Sequence, residues 1–289
     1  MIAKPEEWKR DFEALRVKHE LIWQAKYSNY IKSQNSIIAG IYSIQGNITA
    51  ASLVGVFQTT DITAFFKEFY ANVGLSFARW YARNNTKYFE KSYLKKINLT
   101  YKATTLNDIE DLDDIWRAYM SDAGLIASQI GGLGISDTAK KLSIRVLRAL
   151  VGDPVFQSAT STVRARMYAM KMNTYADYIA RRIVITEMTN VSNQAVMRSA
   201  TDIYRGQEMQ KEWMTFMDGR ARDAHEKANG NIVDFNEYFL VGGEKMMRPG
   251  DSSYASAGNI INCRCSVSPF PKPDADPIGP LESFGVGVT

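Results

Sequence analysis

An α+β fold is predicted for this 289-residue chain: a long, mostly helical body over residues 1–177, a small α+β module over 178–268 and a tail over 269–289. Three observations predict it. Apolar and aromatic residues recur at spacings of three and four through most of the first two thirds, the mark of packed amphipathic helices. After Tyr204 the texture changes to short apolar runs punctuated by Gly, Asn and Asp, as short strands and turns require. From Pro269 onward the chain holds five of its eight prolines, which predicts an extended or disordered tail.

The helical body begins at Pro5, a residue suited to a first helical turn, after which Trp8, Phe12, Leu15, His19 and Ile22 form one stripe. His19 lies on that stripe as a packed residue and is assigned no chemistry. Between Ser33 and Thr60 no residue carries a formal charge, yet Gln34, Asn35, Gln45 and Asn47 interrupt the run, so a buried helical pair turning near Gly46-Asn47 is expected rather than a membrane span. Phe65, Phe66, Phe69, Tyr70, Phe77, Trp80, Tyr81, Tyr88 and Phe89 are expected in the core, because Phe65, Phe69, Ala78 and Tyr81 keep helical phase. Asp108, Glu110, Asp111, Asp113 and Asp114 place negative charge at an expected helix start, where the dipole favours it, and lack the glycine and terminal Glu of a calcium loop. Gly131-Gly132-Leu133-Gly134 has no Gly-Lys-Ser/Thr ending and is read as a hinge or turn.

With 45% hydrophobic and 23% charged residues the chain can bury a sizeable core. Its net charge of +4 is uneven: residues 213–289 carry 7 basic and 10 acidic side chains, leaving 28 against 21 on residues 1–212. Lys140, Lys141, Arg145, Arg148, Arg164, Arg166, Lys171, Arg181 and Arg182 face only Asp153 and Asp177 in their stretch. Such a concentration attracts a polyanion or an acidic protein surface, and ordinary solvated helix faces are the alternative. The two cysteines, Cys263 and Cys265, are one residue apart and make a poor disulfide framework, and the N-terminus is charged where a secretory signal needs an apolar stretch. Together these features speak for an assembly protein and against a secreted protein or a metabolic enzyme.

In the module, a helix carrying Ile183, Thr186 and Glu187 continues through Asn193 toward Tyr204. Trp213 to Arg220 reads as a strand entering a tight turn, followed by a short helix with His225 that stops at Asn229-Gly230. Asn262-Cys263-Arg264-Cys265 leads into a last strand at Ser266-Val267-Ser268. Asp218 can accept hydrogen bonds across its own turn, His225 can fix a loop, and the small sulfur side chains can pack where segments meet. His225, Cys263 and Cys265, with Asp218 or Asp223, are also competent zinc ligands, but the cysteine spacing of one residue is shorter than usual, so no metal or other cofactor is expected.

The ordered series Ile183, Thr186, Glu187, Trp213, Asp218, Arg220, His225, Gly230 and Asn262 to Cys265 resembles the C-terminal domain of phage minor head proteins, the Mu F-like head morphogenesis family. The resemblance covers about residues 178–268. It implies a minor structural protein of a tailed-phage virion, lying inside the capsid after assembly in the host cytoplasm. Its implied partners are the portal protein, the capsid interior and packaged double-stranded DNA, with no membrane insertion and no catalytic residues. Relatives carry a Cys-x-x-Cys where this chain has Arg222 and His225, so only one of those positions keeps a metal ligand here. A toxin-like enzyme, a nuclease or an ADP-ribosyltransferase, is the alternative; Glu187, Asp218 and His225 are its only candidates for acid or base.

Overall fold

The computed structural model describes residues 4–46, 56, 59–89 and 106–272. Its helices are α1 (Pro5–Gln45), α2 (Thr59–Asn84), α3 (Leu106–Val151), α4 (Pro154–Ser158), α5 (Ser161–Ile203), α6 (Asp223–Ala228) and α7 (Ala257–Ile260). Its strands are β1 (Met209–Met214), β2 (Ile232–Asp234), β3 (Phe239–Val241), β4 (Glu244–Met246) and β5 (Ser266–Pro271). The predicted α+β class is the observed one: long helices followed by a small antiparallel module.

The contacts divide the chain into two compact units that do not follow a linear boundary at residue 178. One unit holds residues 1–16, 73–117 and 186–289; the other holds 17–72 and 118–185. The C-terminal module is thus embedded with the first turns of α1 and the second half of α2. Trp8 Nε1 donates to Ser266 Oγ at 3.3 Å, Tyr81 Oη donates to the Pro269 carbonyl at 3.0 Å, and Ser199 Oγ donates to the Ala78 carbonyl at 3.1 Å. Trp8 also meets Trp80 and Tyr88 edge-on, with ring centroids 4.9 and 5.1 Å apart, a geometry that suits aromatic quadrupoles.

The other unit is held by apolar and aromatic packing. Trp23 lies edge-on to Phe65 and Phe69 at 5.4 and 5.1 Å, and a second cluster gathers Ile38, Tyr42, Val146, Leu150, Phe156, Tyr168 and Met172. Gly124 lets α3 approach α2 closely, since a Cβ there would lie 2.6 Å from the Phe66 carbonyl oxygen.

Several sequence expectations are corrected. The buried row of α1 runs Trp8, Phe12, Arg16, Glu20, Trp23, Tyr27 and Ile31, whereas Leu15 and His19 are half-buried and Ile22 is 48% exposed. Two buried charged residues occupy the row where apolar ones were sought, and Arg16 is held by a two-pronged pair with Glu13. Gly131 to Gly134 form no turn but lie inside α3. Helix interiors lose only about 1 kcal/mol per glycine relative to alanine, and packing of Trp116 and Met120 before the run and Val146 and Leu150 after it sustains the helix. The acidic cluster lies in the opening turns of α3, but the helix starts earlier than expected, at Leu106, so Glu110, Asp111, Asp113 and Asp114 fall past its first turn, and Asp113 pairs with Arg79. At the end of α1, Gly46 adopts φ 70° and donates to the Tyr42 carbonyl at 2.8 Å, as a left-handed helix terminator does. Asn47, the side chains of Asp108 and Lys140, and residues 273–289 lie outside the described residues.

In the module, β1 is the central strand of a sheet ordered β2-β1-β5, antiparallel throughout, while β3 and β4 form a separate hairpin. The strand expected from Trp213 to Arg220 instead begins at Met209 and ends at Met214, because Lys211 and Glu212 are buried in it despite their charge. The tail does not start at Pro269: β5 continues to Pro271, with Pro269 opposite Lys211 and Pro271 opposite Met209. As the edge strand, β5 tolerates prolines that a central strand would reject.

Candidate functional site

Of the residues singled out in the module, Thr186, Trp213, Asp218, Arg220, His225 and Asn262 to Cys265 converge on the space between α5, α6 and the approach to β5, whereas Ile183, Glu187 and Gly230 are not brought into it. Thr186 Oγ1 accepts from Asn262 N at 3.1 Å, and Asn262 takes φ 58°, a left-handed conformation that asparagine tolerates. From there the backbone extends, so Cys263 and Cys265 face one side and Arg264 the other. Both thiols are buried, against 15% exposure for the Arg264 side chain.

On the inner side, His225 Nδ1 lies 3.4 Å from Cys265 Sγ and 3.6 Å from Cys263 Sγ, and the three donor atoms fall within 4.8 Å of one another. Thr215 Oγ1 lies 3.5 Å from Cys265 Sγ while donating to the His225 carbonyl at 2.6 Å. His225 Nε2 is buried without a hydrogen-bond partner. The hydrogen bond from Cys263, aided by His225 and Thr215, holds the Cys265 thiol well below the ordinary range, and donating that bond pushes Cys263 up. Trp213 Nε1 donates to Thr215 Oγ1 at 3.0 Å, and its ring stands edge-on to His225 with centroids 5.7 Å apart.

On the outer side, Arg264 Nη2 donates to both Asp218 oxygens at 2.9 and 2.7 Å. Asp218 Oδ1 also accepts from Arg220 N at 3.1 Å, bridging the turn at Gly219, whose φ is 72°. Partial burial works against the Asp218 carboxylate, but the bonds from Arg264 and Arg220 hold it down at about 2. A shallow cleft opens over these groups, lined by His225, Cys263 and Cys265 and by Arg220, Arg222 and Arg264. Neither Asp218 nor Glu187 lines it, and neither Asp218 nor Asp223 joins the sulfur and imidazole group.

Sequence reasoning missed the residues that lock this arrangement onto α5. Asn193 Oδ1 accepts from Val267 N at 2.7 Å, and Asn193 Nδ2 donates to the carbonyls of Thr189 and Cys265 at 2.8 and 3.0 Å. Thr189 Oγ1 donates to the Cys263 carbonyl. Gly250, at φ 83°, passes so close to α5 that a Cβ would lie 2.8 Å from Asn190 N. The available signal was a run of small polar residues on an otherwise apolar helix face, Thr189, Ser192, Asn193 and Ser199, all fully buried.

The basic stretch is in the helical unit. Lys141, Arg145, Arg148, Arg166, Lys171, Arg181 and Arg182 are exposed on α3 and α5. Arg164 is not part of that surface: its guanidinium donates to the Phe156 carbonyl at 2.7 Å and to the Gln157 carbonyl, closing α4 onto α5.

The family model described as Phage Mu protein F like protein matches residues 126–268. That span takes in the basic stretch, the whole of α5, the sheet up to β5 and the Asn262 to Cys265 motif. Searches of curated proteins and of solved structures return no match. Over residues 126–268 this chain is similar to the Phage Mu protein F like family, a family of phage head proteins.

Proposed function

We propose that the chain is a minor head morphogenesis protein of a tailed bacteriophage, lying inside the capsid in contact with the portal and with packaged double-stranded DNA. The family match over residues 126–268 carries this reading. The module supports it chemically, because its signature residues are engaged inside the module: Thr186 with Asn262, Asp218 with Arg264, and Trp213 with the neighbouring Thr215. A hydrolytic or transferase site would need an acid or base facing a substrate cleft; Asp218 and Glu187 do not line the cleft over this motif, and His225, which does, has its Nδ1 turned to the two cysteine sulfurs. No described helix is long and apolar enough to cross a membrane.

The basic face of α3 and α5 is the DNA contact in this reading. Lysine and arginine neutralise phosphates and release counterions, so binding is independent of sequence and falls steeply with salt. Replacing Arg145, Arg148 and Arg166 by Gln should lower the slope of log K against log salt by about 2–3, with Arg164 left intact because it holds α4. Unchanged DNA retention together with loss of particle incorporation would reassign the face to an acidic protein partner. The overall reading is tested on the purified particle, where the chain should co-isolate with the portal at a fixed low stoichiometry. A chain absent from washed particles would refute it.

A further inference from the structure

We propose that His225, Cys263 and Cys265 bind a single zinc ion through Nδ1 and the two Sγ atoms, leaving the fourth position to water or another small donor entering from the cleft. The geometry is that of a metal site. A tetrahedral zinc with Zn–S near 2.3 Å and Zn–N near 2.0–2.1 Å separates nitrogen from each sulfur by about 3.5 Å. The observed separations are 3.4 and 3.6 Å.

The cysteine spacing, which spoke against zinc in the sequence, takes a different meaning on this backbone. Cysteines two to four residues apart converge by turning around the metal, as in a knuckle. In an extended segment residues i and i+2 already point the same way, and Cys263 and Cys265 do so while Arg264 turns out to Asp218. The segment is fixed to α5 at both cysteines, by Thr189 on the Cys263 carbonyl and Asn193 on the Cys265 carbonyl, so the thiols are pre-positioned.

The imidazole supplies a second, independent observation. His225 is 1% exposed, its Nε2 has no partner, and Nδ1 faces only the two sulfurs among the described residues. Sulfur is a weak hydrogen-bond partner and repays little of the desolvation of a buried ring nitrogen, whereas a coordinate bond at Nδ1 repays it directly. Two thiolates, one neutral imidazole and Zn²⁺ sum to zero charge, which suits a site this buried.

The test uses the full chain purified without chelators under reducing conditions. Metal analysis should find about one zinc per chain, and cobalt substitution should give tetrahedral ligand-field and thiolate charge-transfer bands. A strong chelator should lower the melting temperature, and added zinc should restore it. Cys263→Ser should lose the metal, whereas His225→Cys keeps a donor and should retain it. If Cys263→Ser does not fold, the wild-type measurements decide alone. Wild-type protein with no zinc after equilibration with the ion, no chelator effect and equal thiol reactivity with and without zinc overturns the proposal; so does a Cys263–Cys265 disulfide in the mass of the native protein.

Discussion

Phe69 and Asn193 are both fully buried, and what each does there shows how differently the two parts of the chain are held. Phe69 sits in the helical unit among Trp23, Phe65, Phe66 and Tyr70, making no polar demand on its neighbours. Asn193 sits where α5 meets the C-terminal strand and serves four backbone groups at once, the carbonyls of Thr189, Pro249 and Cys265 and the Val267 amide. Long helices satisfy their own backbones and need only apolar volume between them. Short strands and turns leave backbone donors and acceptors over, which must be met by side chains when buried. A small module of such elements is therefore specified residue by residue.

The largest effect follows from exchanging these demands. Asn193→Leu keeps the volume but strands Val267 N and the Cys265 carbonyl, at about 1–3 kcal/mol for each buried group, so a loss of about 3–5 kcal/mol is expected. Phe69→Leu keeps the surroundings apolar and should lose only about 1–2 kcal/mol. Denaturant unfolding of the full chain, followed by circular dichroism, measures both; equal losses would erase the distinction.

Backbone geometry comes next. Gly250→Ala forces a Cβ into the backbone of Asn190 at a left-handed φ and should destabilise by about 2–4 kcal/mol. Gly243 has nearly the same φ, 84°, with open space around it, so Gly243→Ala carries the backbone strain alone, about 1 kcal/mol. If the two alanines cost the same, α5 yields at Asn190 and the close approach does not specify the module.

A third prediction concerns Lys211, buried in the central strand with Nζ donating to the Met247 carbonyl at 2.8 Å. Burial, helped by the nearby Arg248, pulls its pKa down to about 7 against attraction from Asp251 and Glu237. Between pH 7 and about 10 the unfolded chain binds a proton that the folded chain does not, so stability should rise with pH, by about 2–4 kcal/mol over that window. Lys211→Met should abolish the extra slope relative to wild type, which isolates it from other groups titrating in the same range. Parallel slopes in the two proteins would mean that Lys211 stays charged when folded.

The same contrast explains what could be read from the sequence. Helix existence, the aromatic core at Phe66, Phe69, Tyr70 and Phe77, and the acidic opening turns of α3 were legible because they depend on local period and charge. The burial of Arg16 and Glu20 in α1 was not, since nothing local marks a charged residue whose neighbours enclose it. In the module, the Asn262 to Cys265 motif and Asp218 stood out by type, yet their pairing with Thr186, Asn193 and one another spans tens of residues and is a tertiary fact. Strand limits failed for a related reason. Met209 to Glu212 look too polar for a central strand, and Pro269 and Pro271 look wrong for any strand until β5 proves to be an edge.

The smallest predicted effect is at Asp218, where the turn and the ion pair can be separated. Asp218→Asn keeps an acceptor for Arg220 N but loses the charge facing Arg264 and Arg220, while Asp218→Ala loses both. The pair is partly exposed, with 31% and 15% of the Asp218 and Arg264 side chains open to solvent, so screening limits its worth. We expect Asn to cost about 0.5–1 kcal/mol and Ala about 1–2 kcal/mol. The folded-state pKa of about 2 lies below the ordinary carboxylate value, so this contribution is complete above about pH 4 and is lost as pH falls toward 2. A cycle of Asp218→Asn, Arg264→Gln and the double variant, read at pH 7 and at pH 2, should show much weaker coupling at the lower pH, where the carboxylate is about half protonated. Coupling undiminished at pH 2 would mean that shape and not charge joins the two residues. Asp218→Asn that keeps its melting temperature yet yields non-infectious particles would mean that the carboxylate does chemistry that the turn and the ion pair do not explain.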